Sequence, residues 1–197
     1  MEYAFEDFAA GIAVFDIVYT LLSLVFAIVS YVLCSTAFYS IAKRRGINNP
    51  WMSWVPVLSA WVLGCISDQY QYVVKGRNKN KRKWLVGLNI ALIVAYIAFV
   101  VFLGVFSFSI IDTASGGMED AQFMETMMKF VLSIFAALVP TLVLAIAQMV
   151  IRYMAMYDLY SSCSPQNNVL FLVLSIFIPV TEPFFVFFNR KKDGGMP

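Results

Sequence analysis

The chain has 197 residues, of which 61% are hydrophobic and only 13% charged, with a formal net charge of +2 and no histidine. Charged residues are about half as frequent as in a soluble domain, which points to one integral membrane domain. The missing histidine excludes histidine-ligated zinc sites, Ser-His-Asp triads and histidine proton relays together.

The first residues, MEYAFEDF, carry three acidic groups and no basic one. A secretory signal peptide opens with a basic stretch, so the first apolar run is expected to be a retained span, with residues 1–16 outside the cytoplasm. That run covers residues 17–42, enough for a span of ~20 residues. The next, residues 51–67, is shorter and holds Pro56 and Gly64. Within it Trp51, Trp54, Leu58, Trp61, Val62 and Ile66 recur at helical spacing and predict one bulky stripe, with Ser53, Ala60, Gly64 and Ser67 forming a small-residue face. One reading is a re-entrant element that binds lipid or ligand. The plainer reading is an interfacial anchor, because tryptophan favours the headgroup level.

Residues 75–83 form a basic loop, with Lys75, Arg77, Lys79, Lys81, Arg82 and Lys83. Beside membrane spans this run reads as a topology signal touching anionic headgroups, not as a nucleic-acid patch. Residues 84–111 predict the second span, residues 112–129 an extracytoplasmic loop, and residues 130–153 the third span, continuing as helix toward Leu159. Pro140 is expected to kink it. Asn89 and Gln148 lie inside spans, where such amides usually bond between helices.

The last apolar run, residues 169–188, contains Pro179, Glu182 and Pro183. A charge at membrane depth costs ~2.5–3.5 kcal/mol on insertion scales and so normally faces protein or water. Glu182 is therefore the best candidate for a functional ionisable group, with Arg152 as its partner. The competing reading puts Glu182 at the turn of a shallow hairpin, reaching headgroups. Residues 189–197 read as a cytoplasmic tail, and the Asp193–Pro197 end as the start of a flexible extension.

Charge decides how the two awkward runs sit. Lys43, Arg44 and Arg45 precede residues 51–67 and the basic loop follows them. A full span there would put one basic cluster outside, against the bias that sets orientation. If both awkward runs enter and leave from the cytoplasmic side, thirteen of the fourteen basic residues lie inside with four acidic ones, and Lys129 alone lies outside with eight. The expected fold class is an all-α integral membrane domain with three long transmembrane helices and two cytoplasm-side re-entrant or interfacial segments. Its N-terminus is outside and its C-terminus cytoplasmic.

A faint internal echo accompanies this pattern. Ala37-Phe38-Tyr39-Ser40-Ile41 precedes Asn48-Asn49 and a proline-containing apolar run; Ala155-Met156-Tyr157-Asp158-Leu159 precedes Asn167-Asn168 and another. A duplicated unit would explain it; chance similarity competes. Cys34, Cys65 and Cys163 read as reduced apolar fillers without metal-ligand spacing. No hydrolase elbow, zinc-protease, Walker or dinucleotide signature is present. No cofactor is expected and the pattern points away from an enzyme.

The stretch Ala42-Lys43-Arg44-Arg45-Gly46-Ile47-Asn48-Asn49-Pro50-Trp51-Met52-Ser53-Trp54-Val55-Pro56-Val57, with Leu63 to Tyr70 ending in Asp68-Gln69-Tyr70, resembles a segment of small multi-pass membrane proteins of Firmicutes-type bacteria. The resemblance centres on residues 42–83. That family has no assigned activity, so no functional residue carries over, and the resemblance implies only a bacterial plasma membrane location. The functional expectation is a non-enzymatic membrane scaffold or accessory subunit. Its partners would be membrane lipids and either its own copies or another membrane protein. The alternative is a small oligomeric permease or channel whose re-entrant elements line the path. The residues of interest are Glu182, Arg152, Trp51, Trp54, Trp61 and Gln148.

Overall fold

The structure, a computed structural model, describes residues 2–77, 80–115 and 120–196. Among the described residues six α-helices follow in chain order: α1 (Glu2–Arg44), α2 (Pro56–Lys75), α3 (Lys81–Ser115), α4 (Asp120–Cys163), α5 (Asn168–Phe177) and α6 (Glu182–Asn189). No strand occurs among the described residues. Three helices are long and apolar enough to cross a membrane, over Gly11–Arg44, Lys81–Phe108 and Met124–Cys163. In hydrocarbon every backbone polar group needs an internal partner, and a continuous helix supplies one along its whole length. α4 runs uninterrupted through Pro140, where Thr141 Oγ1 donates to the Ala137 carbonyl at 2.9 Å. The helices extend past the predicted spans at both ends. Within the expected 112–129 loop, residues 116–119 lie outside the described residues, as do 78 and 79 of the basic loop.

The chain between α1 and α3 forms a hairpin that starts and ends at one end of the bundle. Beyond Arg44, Gly46 (φ 65°) and Asn49 (φ 60°) take the left-handed conformation that glycine and asparagine tolerate best. A 3-10 turn, Pro50–Trp54, then runs back along α1 until the Trp54 carbonyl accepts the Tyr31 hydroxyl. Tyr31 lies thirteen residues before Arg44, ~20 Å down the helix axis. Pro56 at the first helical position starts α2, which climbs back until Gly76 (φ 60°) closes it with bonds to Gln71 and Tyr72. A second hairpin follows α4. α5 returns along α4, with the Tyr160 and Ser175 hydroxyls 2.9 Å apart. A 3-10 turn, Pro179–Thr181, reverses the chain into α6.

The predicted tryptophan stripe is broken by this geometry. Pro56 disfavours helical backbone in the residue before it, and Val55 is extended (φ −101°, ψ 121°). Trp51 and Trp54 therefore belong to the 3-10 turn and Trp61 to α2, and the helical phase does not carry across. The two hairpins are also unequal: the first pairs a short turn with a 20-residue helix, the second a 10-residue helix with an 8-residue one. The chain end is docked where a free extension was expected. Asp193 meets Arg44 Nε at 2.5 Å and Arg45 Nη2 at 2.9 Å, and Gly194 N donates to the Cys163 carbonyl at 3.3 Å.

The buried core gathers where the hairpins meet the helices. It joins Ala37, Phe38 and Ile41 of α1, Val62 and Ile66 of α2, Leu85 of α3, Met156, Leu159 and Tyr160 of α4, and Val186 of α6. The other halves of the long helices are exposed, with Leu22 at 67%, Val101 at 58% and Leu132 at 71%. Lipid tails are as apolar as leucine, so such faces need no protein partner. α3 and α4 pack together, with the Phe106 and Phe130 rings stacked at 4.1 Å, whereas α1 packs on α2, α6 and the first 3-10 turn.

Candidate functional site

Residues from the turns of both hairpins meet the three long helices around one half-open cavity of mixed polar and apolar lining. Its volume is about 430 Å³. α1 lines it with Ser30, Tyr31, Cys34 and Ser35, α2 with Pro56 and Ser59, α3 with Asn89, α4 with Gln148, Arg152 and Tyr153, and the second hairpin with Pro179, Glu182 and Pro183. The Ser30 hydroxyl and the Gln148 side-chain oxygen are buried without a hydrogen-bond partner.

Arg152 and Glu182 form the charged part of the lining. Arg152 Nη2 donates to Glu182 Oε1 at 2.5 Å. The glutamate side chain is 7% exposed and the arginine 52%, so the arginine retains open donors. Glu182 is placed here by local sequence: two prolines end α5 and open α6, and the carboxylate falls in the first turn of α6, where a negative charge suits the helix dipole. Arg152 precedes Cys163 by eleven residues, ~16 Å along α4.

Of the residues singled out from sequence, Glu182, Arg152 and Gln148 share this cavity and the three tryptophans do not line it. Trp51 and Trp54 are exposed. Trp61 carries the Arg82 guanidinium over its ring at 5.4 Å.

Sequence reasoning passed over a second charged cluster. Asp158, 1% exposed, accepts from Ser67 Oγ at 2.5 Å, Lys81 Nζ at 2.6 Å and Gln71 Nε2 at 2.7 Å, with Lys75 Nζ at 3.8 Å. One carboxylate of α4 thus ties down α2 and the start of α3. The neighbouring Asp68 caps α3, accepting from the backbone N–H of Lys81 at 2.9 Å and of Arg82 at 3.3 Å. Burial pushes the Asp68 carboxyl above its ordinary value, against the lowering effect of those N–H groups and of Arg82 and Lys81. The available signal was spacing: Ser67, Gln71 and Lys75 recur every four residues on one face of α2.

What the cavity can do chemically is bind and orient polar groups. Among the described residues no cluster of His, Cys, Asp and Glu could hold a metal ion. The three cysteines are free. Comparison with protein-family models, with curated proteins and with solved structures finds no match to this chain.

Proposed function

We propose that this chain is a non-enzymatic scaffold or accessory subunit of a bacterial cell membrane that receives a transmembrane helix from a partner, either another membrane protein or a second copy. The observation that carries this reading is the state of α1 above the cavity. Among the described residues α1 makes no extended packing with α3 or α4. Its outer half nonetheless bears Thr20, Ser23, Ala27 and Ser30 at alternating steps of three and four residues. The same row continues into Cys34, Ala37 and Ile41, and Ala37 and Ile41 are fully buried against the chain's own elements. Small residues let two helix backbones approach closely, whereas a purely lipid-facing helix has no need of them. Ser30 and Cys34 of this row line the cavity, whose polar groups could satisfy a polar group on the incoming helix.

The same proposal includes topology. The basic residues of 43–45 and 75–83 flank both ends of the first hairpin and those of 190–192 the end of the second, as the positive-inside bias favours for a cytoplasmic side. The N-terminus is then outside, the C-terminus inside, and each hairpin a half-insertion. Irregular backbone at such depth is tolerated where it is buried in protein or lines a wet cavity. The test is a photo-crosslinking residue at Ala27 in living cells, with Leu22, off the small-residue row, as control. A protein adduct at Ala27 and none at Leu22 is expected, and its mass separates self-association from a different partner. Lipid adducts alone at both positions would end this reading.

A second reading, a small oligomeric permease or channel, is favoured by the Arg152–Glu182 pair at the base of the cavity. An ionisable pair at membrane depth is a functional candidate by default. Solute or ion flux into proteoliposomes that disappears with Glu182→Gln supports it; absence of flux for every tested solute counts against it.

A further inference from the structure

A different groove, on the outer face of α4, combines a basic mouth with an apolar floor. Its volume is about 660 Å³. Lys75, Arg77 and Lys81 surround its mouth. Among the described residues Asp158 is the one acidic residue lining it, against three basic ones, a net charge of +2. Along the floor run Met149, Val150 and Met154 of α4 with Leu172 and Ile176 of α5. Met149, Val150 and Met154 are half exposed, at 50%, 52% and 50%. The distance along α4 from Asp158 to Met149, nine residues, is ~14 Å.

We propose that this groove holds an anionic diacyl phospholipid, its phosphate at Lys75 and Arg77 and one acyl chain along the methionine-lined floor. Three features favour this occupant. First, the mouth presents cations: the Lys75 ammonium, its side chain 39% exposed, lies 5.4 and 5.8 Å from the centroids of the Tyr70 and Tyr157 rings and 3.8 Å from Asp158. Arg77, just past the left-handed Gly76 that ends α2, is exposed with its donors open. Second, charge complementarity selects an acidic headgroup, because a zwitterionic one brings its own cation into a basic mouth. Third, methionine is unbranched and adaptable, and so conforms to a flexible chain. Lys81 is a positioning residue: 12% exposed, it bonds Asp158 and so holds the start of α3 beside the mouth. This site is separate from the α1 row on which the scaffold proposal rests, and either can fail without the other.

The test is native mass spectrometry of the purified full chain equilibrated with equimolar phosphatidylglycerol and phosphatidylcholine. Wild type is expected to retain phosphatidylglycerol preferentially. Each basic residue at a membrane surface changes affinity about fivefold, so Lys75→Gln with Arg77→Gln should lower that preference by an order of magnitude or more. Arg77 lies past the end of α2, and Lys75 meets Asp158 only at 3.8 Å, outside the three close donors that hold that carboxylate, so the helix content of the double variant should not change. Met154→Trp, which fills the floor, should reduce retention of both lipids. Equal retention of the two lipids by wild type overturns the proposal, as does a double variant with unchanged preference. A Met154→Trp chain that binds as wild type does overturns the acyl-chain half of it.

Discussion

Asp158→Asn is expected to loosen the junction of α2, α3 and α4 by more than any single change in the exposed halves of the long helices. The carboxylate takes three close side-chain donors, Ser67 at 2.5 Å, Lys81 at 2.6 Å and Gln71 at 2.7 Å. Asparagine keeps one acceptor oxygen and turns an NH₂ donor toward Gln71 or Lys81, which are themselves donating. At least one charge-assisted bond is lost, worth ~1.5–3 kcal/mol. Lys81, 12% exposed, is also left nearly buried without its counter-charge. Breaking one side of a buried ion pair costs ~3–5 kcal/mol in all. For a chain of this length each kcal/mol moves the thermal midpoint by ~2–4 °C, so a fall of about 10 °C is expected from ~3 kcal/mol lost. The assay is the thermal midpoint of detergent-solubilised protein followed by size-exclusion chromatography. Adding Lys81→Gln to Asp158→Asn removes the orphaned ammonium and should recover at least half the loss, because the two sites are coupled. A single variant within about 2 °C of wild type refutes the reasoning; so does a double variant whose losses merely add.

Gly64→Ala tests the closest approach of α2 to α3. A Cβ there would lie 2.4 Å from the Arg82 Cα and 2.9 Å from its backbone nitrogen, atoms that cannot swing aside. Overpacking of this kind costs ~1–3 kcal/mol; less the ~1 kcal/mol helix-propensity gain of alanine, this should lower the midpoint by about 3 °C. Gly87→Ala meets nothing within 4 Å and should hold or raise the midpoint, so equal behaviour of the two variants would reject the contact. Asp68 supplies a pH signature. Its carboxyl titrates above its ordinary value of 3.8 in the folded chain, so the folded state takes up that proton first as pH falls. Its contribution to stability therefore rises from neutral pH down through the raised value, levels off below the ordinary one, and is lost again as pH climbs back. The midpoint difference between wild type and Asp68→Asn should trace that slope; parallel pH profiles would show that Asp68 is not responsible.

The three long helices were legible in the sequence because their information is local. Some twenty consecutive apolar residues oblige the backbone to bond within its own segment, whatever else surrounds it. Charge placement is equally local, and the orientation proposed from it rests on the reluctance of a lysine–arginine run to cross a bilayer. The pairing of Glu182 with Arg152 could be suggested from position along the chain, because both fall toward the ends of the apolar runs assigned to the cytoplasmic side. What composition could not supply was phase and distance. Pro56 and an extended Val55 separate Trp51 and Trp54 from Trp61, so residues in one periodic pattern end on different elements. Asp158 looks like an ordinary interfacial acid until Ser67, Gln71 and Lys81, between 77 and 91 residues away in the chain, close around it. Docking of Asp193 on Arg44 and Arg45 joins positions 148 or more residues apart and follows no local rule. Hydropathy and charge act residue by residue and survive in a linear string, whereas cavities, clamps and grooves exist only once distant segments share a volume.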